Sequence, residues 1–224
     1  THTRSSAASD VYKRQTENSL KRRLSRLSES QKISVDFEAV VTHELSDTIN
    51  QLSSQSSCEW LVMGWDGRPT TGIFITNPIG WLLANINSNL ALYRDNGVRY
   101  VGKVLLALRP GRKDKNFISI AKNVCDYFGG SLTLLHVVPE NSSTTETVKH
   151  RSEEKLKQSG VDAEVLILKS SDPVETISET SAGYDLLILG TPEKDNWINV
   201  LFGGGKDKFT ERAACSVLRI TLKD

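Results

Sequence analysis

Residues 101–138, VGKVLLALRPGRKDKNFISIAKNVCDYFGGSLTLLHVV, contain a complete strand–helix–strand unit and decide the fold class. The first apolar run, Val101 to Leu108, is strand-sized and is followed by the turn Arg109-Pro110-Gly111. Apolar residues then fall at Phe117, Ile120, Ala121, Val124, Cys125 and Phe128, a three-four spacing that buries one stripe of a helix. Gly129 and Gly130 stop that helix, and Ser131 to Val138 forms the next strand. Two nearly continuous apolar strands joined through a helix are the signature of a parallel βαβ crossover.

The alternation continues to the C-terminus. A charged helix over Thr144 to Gln158 ends at Gly160, a strand follows at Ala163 to Leu168, and Asp172-Pro173 starts a helix that runs to about Ala182. There Asp caps the first N–H groups and Pro supplies the preset φ of a first helical residue. Asp185 to Leu189 is the fourth strand, ending at Gly190; a glycine-containing loop, a short helix near Lys208 to Ala213 and a strand at Ser216 to Leu222 complete the count. Five strands and four helices in this order predict an α/β fold, a doubly wound, mostly parallel five-stranded sheet of order 3-2-1-4-5 over residues 100–224.

An internal repeat at an offset of 126 extends this pattern toward the N-terminus. Val161-Asp162-Ala163-Glu164 maps onto Val35-Asp36-Phe37-Glu38, Leu187-Ile188-Leu189-Gly190 onto Leu61-Val62-Met63-Gly64, and Ser216-Val217-Leu218-Arg219 onto Leu90-Ala91-Leu92-Tyr93. Strands three, four and five are therefore expected twice. The predicted organisation is a truncated copy at 16–95, a linker at 96–99 and a complete copy at 100–224, with Thr16 to Ser34 in the place of the second helix. The first strand of the earlier copy would fall before Thr1. Residues 1–15 have no hydrophobic period and are left outside the fold; their string from Ser5 to Gln15 resembles translated adapter or vector sequence.

Composition narrows the function. With 28 Lys and Arg against 27 Asp and Glu, the net charge of +1 supplies no field to attract nucleic acid. Cys58, Cys125 and Cys215 are far apart and form no C-x-x-C pair, which fits a reducing cytoplasmic setting. His2, His43 and His150 have no metal spacing, and His136, inside an apolar strand, reads as a structural histidine. No metal is assigned. No G-x-S-x-G elbow, H-E-x-x-H pair or Cys–His pairing suggests a hydrolase.

Leu186-Leu187-Ile188-Leu189-Gly190, the interval to Gly203, the closing Ala213-Ala214-Cys215-Ser216-Val217-Leu218 and the strand Leu134-Leu135-His136-Val137-Val138-Pro139 together resemble the universal stress protein family. That resemblance implies an ATP-binding loop of pattern G-x2-G-x9-G-[S/T], in which glycines let backbone N–H groups approach phosphates. In the complete copy Gly190 and Gly203 fit, but Glu193 stands at the second glycine and Gly204 replaces the hydroxyl residue. In the earlier copy Gly64 and Gly67 fit while Asn77-Pro78 closes the pattern. A carboxylate beside a triphosphate is repelled by on the order of 1 kcal/mol or more at 4 Å even in bulk water. Arg109 is a candidate contact for an anion such as ATP or AMP where the family ends its first strand in an acidic residue. The simpler reading, that these glycines only make tight strand-to-helix loops, takes precedence.

Gly64-Trp65-Asp66-Gly67-Arg68-Pro69 and Ala107-Leu108-Arg109-Pro110-Gly111 are similar to the tandem stress-protein domains at the cytoplasmic C-terminus of some bacterial permeases of the amino acid–polyamine–organocation class. The resemblance implies a regulatory, non-enzymatic module at the inner face of the membrane, attached to a transporter membrane domain. It also implies that the two copies pair internally through their fifth strands, Asn89 to Tyr93 against Ser216 to Thr221. The alternative is a stand-alone tandem stress protein that binds, and slowly hydrolyses, ATP.

Overall fold

The computed structural model describes residues 3–64, 86–109, 111, 113–191 and 208–223, with side chains from residue 14. Two compact units divide it, Thr1–Leu45 and Ser46–Asp224. Gly67, Glu193, Gly203, Gly204, the pair Asn77-Pro78 and the tryptophans Trp65, Trp81 and Trp197 lie outside the described residues.

The first unit holds one long helix, α1 (Thr3–Gln31). Residues 3–15, set outside the fold by their composition, are thus helical; no Gly or Pro interrupts the chain from Thr1 to Gln31, so nothing in it breaks a helix. The strand expected at Val35 to Glu38 does not form, and residues 33–42 are irregular. In an order 3-2-1-4-5, strand three pairs only with strand two, and among the described residues the earlier copy has no such partner. A strand without a neighbour leaves its peptide groups unpaired.

The second unit contains α2 (Leu45–Gln55), β1 (Trp60–Gly64), β2 (Asn89–Arg94), β3 (Lys103–Ala107), α3 (Asp114–Phe128), β4 (Ser131–Val138), α4 (Thr145–Gln158), β5 (Glu164–Lys169), α5 (Pro173–Thr180), β6 (Leu186–Gly190), α6 (Lys208–Arg212) and β7 (Ser216–Thr221). Its seven strands form one sheet in the order β1-β2-β7-β6-β3-β4-β5. From β5 to β7 this is the five-stranded 3-2-1-4-5 arrangement, all parallel. β2 then joins β7 antiparallel, and β1 joins β2 parallel.

Local chemistry accounts for the element ends. The Asp172 carboxylate accepts from the N–H groups of Val174 and Glu175 at 3.0 and 3.1 Å, with Pro173 in the first turn of α5. Gly129, at φ 69°, turns the chain left-handed after α3 and donates its N–H to the Cys125 carbonyl. Phe128, read as part of the buried stripe, is instead exposed. Alternation along β3 divides the core between two faces. Val104 and Leu106 pack with Phe117, Ile118, Ala121 and Leu156 on the side of α3 and α4, whereas Leu105 and Ala107 pack with Ile177, Ala213 and Cys215 on the side of α5 and α6. Helices on both faces explain why the strands read as unbroken apolar runs.

The registers refine the repeat. Trp60–Gly64 and Leu186–Gly190 correspond at an offset of 126, but the residues opposite them, Asn89 to Tyr93 and Ser216 to Ile220, correspond at 127. The fifth strands are therefore displaced by one from the sequence alignment, because the connection from fourth to fifth strand is one residue longer in the later copy. With 127 the antiparallel ladder becomes self-consistent. Leu90↔Thr221 maps onto Arg94↔Val217, Ala91↔Ile220 onto Tyr93↔Leu218, and Leu92↔Arg219 onto itself. This is the residue pattern of a two-fold axis passing through Leu92 and Arg219.

Asn96, placed by the sequence in a linker, lies inside the second unit. Its side-chain amide donates to the carbonyls of Ala213 and Cys215, and its N–H donates to Ser216 Oγ at 2.9 Å. Arg94 donates to the Thr210 carbonyl, and Lys223 N–H donates to Asn89 Oδ1. Thus Asn96 ties the end of β2 to the start of β7.

Candidate functional site

The carboxyl ends of β3 and β6 lie side by side, since Ala107 is opposite Leu189. In open α/β sheets ligands enter at this edge. Gly190 and Arg109, both singled out from the sequence, sit at this edge. Gly64 does not join them: β1 and β2 run opposite to β7 and β6, so the carboxyl end of β1 opens at the other edge of the sheet. The two glycine-bearing turns are two separate places.

At Gly190 the need for glycine is steric. A Cβ there would come within 2.9 Å of Cζ of Phe117, a ring buried in the core under α3. The next residue, Thr191, is bound to β7 through its N–H on the Ile220 carbonyl and its hydroxyl against Thr221. At Gly64 a Cβ would meet no heavy atom within 4 Å among the described residues.

The turn after β3 closes on itself. Arg109 is exposed, whereas Asp114, five residues on, is buried and folds back so that both carboxylate oxygens accept the Gly111 N–H at 3.0 Å. Lys155, from α4, forms an ion pair with Asp114 and reaches the Gly111 carbonyl at 3.4 Å. The carboxylate of Asp114 in the first turn of α3 thus closes the turn after β3. Its position favours a negative charge at a helix N-terminus, and the chain's own carboxylate takes it.

Beneath this turn His136 is 2% exposed, with both ring nitrogens engaged. Nδ1 donates to the Leu108 carbonyl at 2.8 Å, which leaves Nε2 of the neutral ring to accept from the Ser152 hydroxyl at 2.8 Å. Burial pushes its pKa below the ordinary 6.5. The reading of His136 as a satisfied structural residue agrees with this geometry. Asp114, Ser152 and Lys155 were not singled out from the sequence; the signal available was a buried strand histidine facing a helix whose polar residues recur at a three-residue spacing.

Gly111, Asp114, Val148, Arg151, Ser152 and Lys155 line a cleft of about 270 Å³. That is slightly below the roughly 300 Å³ at which small-molecule sites begin. Cys125 and Cys215 are buried with their thiols raised by desolvation, Cys215 to about 11, so both are protonated at neutral pH. Among the described residues no cluster of three His, Cys, Asp or Glu is placed to hold a metal ion, and no helix is long and apolar enough to cross a membrane.

Solved structures share this architecture. A universal stress protein from Archaeoglobus fulgidus superposes over 96% of this chain and 80% of its own, with a TM-score of 0.67 and 16% identity. The fold is that of the universal stress proteins. A protein ascribed to the same family in Pseudomonas aeruginosa superposes over 91% of this chain and 78% of its own, at a TM-score of 0.61 and 16% identity. A functionally unknown protein from Pseudomonas aeruginosa PAO1 does so over 91% and 77%, at 0.61 and 15%. No protein-family model matches the chain, and no curated protein matches its sequence. At such identities the likeness is one of stress-protein fold.

Proposed function

We propose that this chain is a regulatory, non-enzymatic module of the stress-protein fold whose nucleotide loops have degenerated. The observation that carries the reading is the β2–β7 ladder, which fuses two copies into one sheet about the Leu92–Arg219 pair. Such a sheet suits transmission of a state between two halves. Two features of the carboxyl edge support loss of phosphate binding: Gly190 accommodates Phe117, and the N–H of Gly111 is given to Asp114. Calorimetry with ATP, AMP and cyclic nucleotides tests the reading. Silence with all of them is the expected result, and saturable ATP binding with release of phosphate would overturn it.

The finer proposal is that the module is the cytoplasmic C-terminal part of a transporter of the amino acid–polyamine–organocation class, at the inner face of the membrane. Its support is the pair of segments from Gly64 to Pro69 and from Ala107 to Gly111. The gene's upstream reading frame is expected to encode a series of membrane helices; a frame without them contradicts the proposal.

A second reading, a stand-alone tandem stress protein that binds ATP, is favoured by one observation. The cleft beside α3 carries the cations Arg151 and Lys155. On that reading Arg151→Ala weakens ATP binding, whereas on the preferred reading there is no binding to weaken.

A further inference from the structure

α4 turns one face toward the start of α3. Val148, Arg151, Ser152 and Lys155 recur at three- and four-residue spacing on that face and, with Gly111 and Asp114, line the cleft of about 270 Å³. Among the described residues none from β6 or Thr191 lines it, so the cleft is a different place from the glycine-bearing turn.

Most of the polar groups in the cleft are already committed. The Gly111 N–H is taken by Asp114, and the Ser152 hydroxyl lies 2.8 Å from both the His136 ring and the Val148 carbonyl. Lys155 directs two of its three N–H donors to the Asp114 carboxylate and the Gly111 carbonyl, which leaves one. Arg151 is exposed and makes no hydrogen bond or ion pair among the described residues. Glu154, the acid within helical reach of it, stands instead 3.7 Å from His150.

Charge and size then narrow the ligand. Two cations and one carboxylate leave the cleft with a single excess positive charge, which suits a monoanion. A phosphate dianion or a triphosphate would bring its further charge against Asp114 with no second free cation to meet it. A planar guanidinium matches the two oxygens of a carboxylate. The volume, under the roughly 300 Å³ of small-molecule sites, admits few atoms, and half-buried Val148 gives the cleft an apolar side. We propose that this cleft binds a small aliphatic monocarboxylate, its oxygens on the Arg151 guanidinium and the remaining Lys155 N–H, and its alkyl end against Val148. This goes beyond the preferred reading and does not need it, since a chain silent toward nucleotides keeps the cleft.

The test is a titration of the full chain with sodium butyrate, followed through the Val148 methyl and Arg151 Nε–Hε resonances, with butyramide, inorganic phosphate and ATP in parallel. Saturable shifts with butyrate are expected, and none with butyramide, which has a similar shape without the charge. Arg151→Gln should weaken butyrate binding by at least about tenfold, as expected for loss of a charge-assisted hydrogen bond. Lys149→Gln removes an equal charge from an exposed position of α4 that does not line the cleft, and leaves binding unchanged. Unaltered amides of β4 and β6 report that both variants are folded. The proposal is overturned if butyramide shifts the same resonances equally, if the shifts grow without saturating, or if both variants weaken binding alike. Phosphate or ATP saturating these resonances more tightly than butyrate also overturns it. Of these outcomes only ATP binding bears on the nucleotide silence of the preferred reading, so the two failures are distinguishable.

Discussion

Gly190 and Gly64 occupy equivalent strand ends, yet the Phe117 ring fills the space of a side chain only at Gly190. Gly190→Ala is therefore expected to destabilise the protein by roughly 1 to 3 kcal/mol through overpacking, with Gly64→Ala close to neutral. Denaturant titration of the two variants checks this; equal effects would mean that both glycines serve a common purpose in their loops. His136 gives a second residue-scale prediction. Its folded pKa lies below the unfolded value of 6.5, so above 6.5 both states are neutral and the histidine adds no pH dependence. As pH falls below 6.5 the unfolded chain takes up a proton that the folded site refuses, and stability declines until the folded pKa is passed. The slope contributed is at most about 1.4 kcal/mol per pH unit. His136→Gln should remove that acid-side slope from the unfolding free energy, and a slope unchanged in the variant would assign it to other groups.

At the scale of elements, the amides of residues 33–42 and of β1 are expected to exchange faster than those of β4 and β6, since an irregular segment, and a strand paired on one side only among the described residues, hold their hydrogen bonds less firmly. Mass-resolved hydrogen exchange checks this, and protection of residues 33–42 equal to that of β6 would contradict it. The complete copy was legible because its strands are apolar on both faces and its helices carry capping chemistry, as at Asp172-Pro173 and Gly129. What was not legible depended on partners distant in sequence. Val35 to Glu38 has the alternation of a strand but no partner strand among the described residues, and the one-residue displacement of β2 shows only in its pairing with β1 and β7. Similarly, Arg109 was readable as the residue after the strand, but the folding back of Asp114 onto Gly111 follows from the geometry of the α3 N-terminus and from Lys155, 41 positions away. The uncharged stretch from Trp60 to Gly64 announced a strand without announcing its place in the sheet order.

For the second unit as a whole, the joining of two copies is concentrated at β2 and β7. Arg219, 2% exposed and paired with Leu92, stands over the Phe209 ring with its guanidinium carbon 5.7 Å from the ring centroid. Asn96 and Arg94 bind the same region from the other copy. The most direct test is the pattern of backbone nuclear Overhauser contacts between Leu90–Arg94 and Val217–Thr221 in solution. An antiparallel ladder with Leu92 opposite Arg219, and with Ala91 opposite Ile220, is the predicted result. Absence of contacts between these segments, a parallel pattern, or a register with Leu92 opposite Leu218 would contradict a single sheet shared by two copies.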